Sequence, residues 1–208
     1  MDQNRFHRLS GPGLLLLAGL ALTGCVEAAV GAGATVGTTA MQERGVKGAA
    51  NDIAIRAEIN HYWLNQDHRL FIDLNLQVYE GRALVSGAVK DAQTRADAIQ
   101  LAWKAKGVRE VINEVEVLPQ GTGVVDYARD TAISTELKGR LLFAKEINSV
   151  NYSIEVVNGS VYLLGVAQSP AELDRVLNVA RNINNVKRVV THILMKDDPR
   201  RFRDPPPA

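Results

Sequence analysis

Apolar and polar positions alternate through residues 150–165, and the alternation breaks once, at Asn158-Gly159. Val150, Tyr152, Ile154 and Val156 share one face before the break, and Val161, Leu163 and Gly165 share one after it. A period of two is that of a half-buried strand. Asn-Gly between two such runs predicts a tight hairpin, because both turn residues must accept positive φ. The pattern occurs again 78 residues earlier, at Val78-Tyr79-Glu80-Gly81-Arg82-Ala83-Leu84-Val85-Ser86-Gly87. Gly81 falls on Gly159 and Gly87 on Gly165.

The offset holds beyond the hairpin. Asp52 falls on Asp130, Ile55 on Ile133, Glu58 on Glu136, Leu64 on Leu142, Val108 on Val186 and Val111 on Val189, with no gap between 52–117 and 130–195. Only 11 of 66 aligned positions are identical, so the weight lies on glycines, strand faces and helix starts that stay in phase. The chain is read as two copies of one unit.

Each copy opens with a helix. Ile133, Leu137 and Leu141 make one apolar face in the second, and Ile55, Ile59 and Trp63 make it in the first. After the hairpin comes a second helix. Ser169-Pro170-Ala171-Glu172 supplies an N-cap, a proline at the first helical position and a capping-box glutamate. Asp91 takes the N-cap place in the first copy. Leu173, Val176, Leu177 and Ala180 form one apolar stripe, and Ala98, Ile99 and Ala102 its counterpart. Trp103, one residue past that stripe, is expected to cover the sheet. Gly107 and Asn185 suit left-handed helix ends. A last strand closes each unit, at 108–117 and 186–195. The order is α-β-β-α-β, an α+β class.

The flanks differ from the repeats. Arg5 and Arg8 precede a short apolar run at 13–21, which reads as a secretory signal too short to span a membrane. It ends in Leu22-Thr23-Gly24-Cys25, which matches the bacterial lipobox and marks Cys25 for acylation; the plainer alternative is a small residue near a cleavage site. Residues 25–50, rich in Gly and Ala, read as a lipidated N-terminus and tether, with a short helix or strand at 34–41 as the alternative. Residues 119–125 read as a short linker. The tail 197–208, with Arg200, Arg201 and Arg203 followed by three prolines, reads as disordered. The expected division is therefore signal 1–24, tether 25–50, first domain 51–118, second domain 126–196 and tail 197–208.

Charge sharpens the picture. From Cys25 onward the chain carries 22 basic and 22 acidic residues, so no global field draws it to nucleic acid or anionic lipid. The first repeat is net −2 and the second net +1. Catalytic signals are missing. His61, His68 and His192 stand at unrelated spacings, without clustered carboxylates or a second cysteine to complete a metal site. Ser86 lacks a nucleophile-elbow setting, and no glycine-rich phosphate loop is present. No catalytic residue, metal or cofactor is assigned, and nucleic acid is not an expected partner.

A doubled α-β-β-α-β unit with two hairpin glycines, closed by Gly107-Val108-Arg109-Glu110-Val111 and Asn185-Val186-Lys187-Arg188-Val189, resembles the BON domain family. The resemblance covers 52–195, and with the lipobox it extends to the dual-BON envelope lipoproteins. It implies two tandem domains, each a three-stranded mixed sheet packed against two helices. It also implies a non-enzymatic protein that binds phospholipid and supports envelope integrity; Val26 after Cys25, where an Asp would resemble an inner-membrane retention signal, favours the periplasmic face of the outer membrane, with the inner membrane as the alternative.

One helix face adds a candidate site. With Ile133, Leu137 and Leu141 turned to the core, a helical wheel sets Leu142 opposite them, among Thr131, Thr135 and Lys138, with Lys145 just past the helix end. These five are the candidate contact for an anionic phospholipid surface. The competing reading is that Leu142 ends the helix and tucks under the next loop, as Leu64 would in the first copy. There Asn60 stands in place of Lys138 and Asp67 in place of Lys145. A second function class stays open: a scaffold for an envelope-assembly or peptidoglycan-processing protein.

Overall fold

The computed structural model describes residues 41–118 and 127–202. The signal segment, Cys25, most of the tether, the linker and the last six residues lie outside them. The first half contains α1 (Gly45–Gln66), a short α2 (His68–Asp73), β1 (Leu74–Tyr79), β2 (Arg82–Val89), α3 (Ala92–Trp103) and β3 (Glu110–Val117). The second contains α4 (Tyr127–Phe143), a 3-10 turn (Ser149–Asn151), β4 (Tyr152–Val157), β5 (Ser160–Ala167), α5 (Pro170–Arg181) and β6 (Arg188–Met195). Strands and second helices of the two halves start 78 residues apart, at 74 and 152, 82 and 160, 92 and 170, 110 and 188. The departures from α-β-β-α-β are the extra short helix α2, with a 3-10 turn in its place in the second half.

Each sheet is mixed. β2 pairs antiparallel with β1 and parallel with β3, and β5 does the same with β4 and β6. Both hairpins turn through two positive-φ residues, Glu80 and Gly81 in one and Asn158 and Gly159 in the other. The non-glycine first position is held by a buried aspartate. Asp52 accepts from the N–H groups of Glu80 and Gly81, and Asp130 from those of Asn158 and Gly159, all at 2.7–2.9 Å. A carboxylate that accepts two backbone N–H bonds satisfies donors the tight turn leaves over. Asp52 and Asp130 are the repeat-related acids at which the sequence alignment begins, so their identity in both copies was the signal for this role.

The helices cover one face of each sheet. Ile55, Ile59 and Trp63 pack with Val78, Val85, Ala98 and Ala102 in the first core. Ile133, Leu137 and Leu141 pack with Ile154, Val161, Leu163, Val176 and Ala180 in the second. Trp63 donates from Nε1 to the Ala98 carbonyl at 3.0 Å, which ties the two helices of the first half together. Ser169 caps α5 as expected, but Glu172 reaches past the capping-box position to the N–H groups of Gln168 and Asn148. Trp103 is 43% exposed rather than lying over the sheet, since Ala98 and Ala102 already fill that contact.

The other faces of the two sheets meet. Tyr79, Leu84 and Ile112 of the first sheet pack on Val157, Tyr162, Leu164 and Val166 of the second. The layers therefore run helices, sheet, sheet, helices, and a third apolar cluster joins two otherwise separate cores. Repeat-related residues pair across the junction. Gln77 donates to Glu155 at 2.9 Å, and His192 lies 2.9 Å from Glu114. Contact between equivalent positions is the mark of a two-fold axis, so the halves are related by an internal pseudo-dyad. Arg82 and Arg188 extend the seam: Arg82 donates to the His192 carbonyl and Arg188 to Glu116.

The expectation of a disordered tail from 197 fails as far as Phe202. Pro199–Phe202 forms a 3-10 turn, and Arg201 is 8% exposed. Its guanidinium makes two bonds to the Glu80 carboxylate, at 2.6 and 2.8 Å, and also donates to the Lys196 carbonyl. Glu43 lies 3.6 Å away, and its own N–H donates to Asn151 in the second half. The segment before α1 and the segment after β6 each reach the opposite domain. The tether reading likewise gives way before residue 50, because α1 already starts at Gly45.

Candidate functional site

Burial of Ile133, Leu137 and Leu141, at 2%, 0% and 1% exposure, fixes the rotation of α4 about its axis. The opposite side must then face out. Thr131, Thr135, Lys138 and Leu142 are all exposed, and Lys145 follows in the loop, also exposed. Leu142 does not tuck under that loop: it is 63% exposed, against 45% for Leu64. Phe143, at 86%, stands beside it. Phe143 was not singled out from the sequence, although an aromatic directly after Leu142 at a helix end was the available signal.

The five residues do not form one pocket. Thr131, Thr135 and Lys138 line a cleft of ≈ 490 Å³ between α4 and the first domain, whose walls include Ile72, Asp73, Asn75, Gln77, Tyr127, Ser134 and Glu155. Leu142, at the helix end, and Lys145, in the loop beyond it, lie outside the cleft. Burial pushes the Glu155 carboxyl up from the usual range; the bond from Gln77 and the charges of Lys138 and Arg56 act against the shift.

The first domain lacks the counterpart. At the place of Lys145, Asp67 caps α2 by accepting from the Arg69 N–H at 2.9 Å. The short helix α2 thus occupies the loop that is free to carry a lysine in the second domain.

Two of the histidines are engaged elsewhere. His61 bonds Asn65, and His192 bonds Glu114. Among the described residues no group of three or more His, Cys, Asp or Glu could hold a metal ion, and no helix is long and apolar enough to cross a membrane. The surface offers hydroxyls, one lysine on the helix and apolar side chains at its end. That set can contact a charged, amphiphilic surface; it contains no paired nucleophile and base.

Comparison with known proteins gives a consistent result. The BON domain family model matches residues 51–119 and 129–197. An uncharacterized protein from the gshII 5′ region of Anaplasma centrale is 37% identical over 146 residues, 70% of this chain and 95% of that one. Outer membrane lipoprotein DolP of Haemophilus influenzae is 28% identical over 180 residues, covering 85% and 91%. Osmotically-inducible protein Y of Escherichia coli strain K12 is 28% identical over 147 residues, covering 70% and 73%.

Proposed function

The chain belongs to the BON domain family, and on that basis we propose that it is a non-catalytic envelope lipoprotein whose second domain binds anionic phospholipid and supports outer-membrane integrity. Its place is the periplasmic face of the outer membrane, held by acyl chains on Cys25. The observation that carries the reading is the outward stripe Thr131, Thr135, Lys138 and Leu142, continued by Lys145. Leu142 stays 63% exposed on a helix whose other face is fully committed to the core. An apolar side chain flanked by lysines suits the boundary between headgroups and acyl chains. The likeness over 85% of the chain to a protein named an outer membrane lipoprotein supports the location.

Leucine insertion is worth at most about 1.5–3 kcal/mol, and each lysine near anionic headgroups about 1 kcal/mol. Residues 26–208, which contain every element described, should therefore bind vesicles weakly, prefer anionic ones and release with added salt. The Leu142→Asp, Lys138→Glu double variant is expected to lose this binding at an unchanged melting temperature. Asn60→Glu, the matching change in the first domain, should have little effect. Full binding by the double variant would rule this surface out and leave the scaffold reading, in which an envelope protein is the partner.

The acyl anchor raises the local concentration of the domain at the membrane, which makes weak contact sufficient. Cys25→Ser should give soluble or unprocessed protein. Intact mass spectrometry that finds no acyl chains on the wild type would sink the anchoring step.

A further inference from the structure

Asn158-Gly159 is the one Asn-Gly step in the chain, and such a step is chemically labile in an open chain. The Gly159 nitrogen, unshielded by a side chain, is placed to close a five-membered ring on the Asn158 side-chain carbonyl. Attack forms a bond from that nitrogen to Cγ. The side-chain nitrogen leaves as ammonia, taking the proton that Gly159 gives up, and a succinimide remains. Water then opens either ring carbonyl, to aspartate or to isoaspartate. One water enters, one ammonia leaves, and nothing is oxidised or reduced.

The folded hairpin withholds the attacking group. Gly159 donates its N–H to Asp130 Oδ1 at 2.8 Å, and Asn158 donates its own to Oδ2 at 2.7 Å. The nitrogen thus keeps its proton in a charge-assisted bond, and removing that proton would set an anion against a carboxylate only 5% exposed. The far side is fixed as well. The Gly159 carbonyl accepts from the Lys187 N–H at 2.8 Å. Ring closure needs the peptide between Asn158 and Gly159 to rotate, which breaks these bonds. The target itself is unprotected: the Asn158 side chain is half-buried, and its amide has no hydrogen-bond partner among the described residues. The first copy keeps the geometry without the chemistry. Asp52 holds Glu80 and Gly81 in the same way, but a glutamate has no ammonia to lose and would need a six-membered ring.

We propose that Asn158 is a site of spontaneous deamidation guarded by Asp130: conversion proceeds only from the opened turn. Its rate in the folded chain is then the open-chain rate multiplied by the fraction of time the turn is open. The change is one-way. Isoaspartate adds a main-chain carbon to a two-residue loop whose length sets the strand register, so a converted turn no longer closes on Asp130 as before. Both aspartates hold a hairpin, and only the one in the second domain also protects an asparagine.

The test is peptide mapping by mass spectrometry of residues 26–208 held at mildly alkaline pH, either folded or unfolded in guanidinium chloride. In the unfolded chain Asn158 should convert ahead of Asn148 and Asn151, which lie on the same stretch. In the folded chain it should convert at least about a hundredfold more slowly, the ratio for a turn open less than about 1% of the time. Asp130→Asn keeps the side-chain size and one acceptor but loses the charge. Where circular dichroism shows that variant folded, conversion should be at least about tenfold faster than in folded wild type. Asp52→Asn, the same change at the first hairpin, should leave Asn158 as slow as in wild type, which separates the guard from a general loss of stability. Folded wild type that converts as fast as the unfolded chain would overturn the proposal, and so would a folded Asp130→Asn protein that converts at the wild-type rate. If Asp130→Asn does not fold, Asp52→Asn still decides: faster conversion of Asn158 there would show that Asp130 is not its specific guard.

Discussion

Replacing Gly165 with valine is expected to unfold the second domain. Gly165 lies in the central strand β5 at φ +150, and a Cβ built there would overlap the carbonyl oxygen of Asn151. The strand cannot move aside, because it is paired with β4 on one edge and β6 on the other. Asn151 cannot move either: it is fully buried and accepts from the Glu43 N–H. A β-branched side chain adds strain at a backbone conformation that L residues rarely adopt, so the cost should exceed about 4 kcal/mol. Gly87 is the equivalent, at φ +118, with the Asp73 carbonyl in the way. Denaturant melts followed by near-ultraviolet circular dichroism would read both changes. A Gly165→Val protein with a wild-type transition would refute the close approach seen here.

Arg201→Ala should be the next largest loss, at a position outside both repeats. The Arg201 and Glu80 side chains are only 7% and 10% exposed. Removing the guanidinium leaves the Glu80 carboxylate buried without its cation, which costs about 3–5 kcal/mol. For a chain of this size that lowers Tm by roughly 10 °C. The Arg201→Met, Glu80→Gln double variant should recover much of the loss, because it removes the unpaired charge rather than the packing. Calorimetry on the four proteins of this cycle would measure the coupling. A loss within about 0.5 kcal/mol for Arg201→Ala, as for an exposed pair, would show that the tail is not held as described.

The repeat was legible because its signals are local. Asn158-Gly159 and the flanking alternation specify a hairpin within ten residues, and the 78-residue offset carries that reading to Glu80-Gly81 without new information. The faces of α1 and α4 were equally legible, since a 3.6-residue period needs no partner to be recognised. It was the same period that set Thr131, Thr135, Lys138 and Leu142 on the outside of α4. The turn-holding Asp52 and Asp130 were visible as an identity between copies, but their bonds cross 28 and 29 residues, beyond any local pattern.

What the sequence alone determined is therefore the unit: its hairpin, its helix faces, its doubling and the outward stripe of the second copy. The tertiary structure decided how the two units meet. Tyr162, Leu164 and Val166 read simply as strand residues, because period two marks one face as core and cannot say that the opposite face is covered by another sheet. Thr131 and Ile72 share a cleft only once that sheet-to-sheet contact has formed. Arg201 lies in a polar, proline-flanked stretch whose composition argues for disorder, and its burial depends on a carboxylate 121 residues away. Composition and period describe a segment among its neighbours in the chain; burial on a second face and a paired charge are set by neighbours in space.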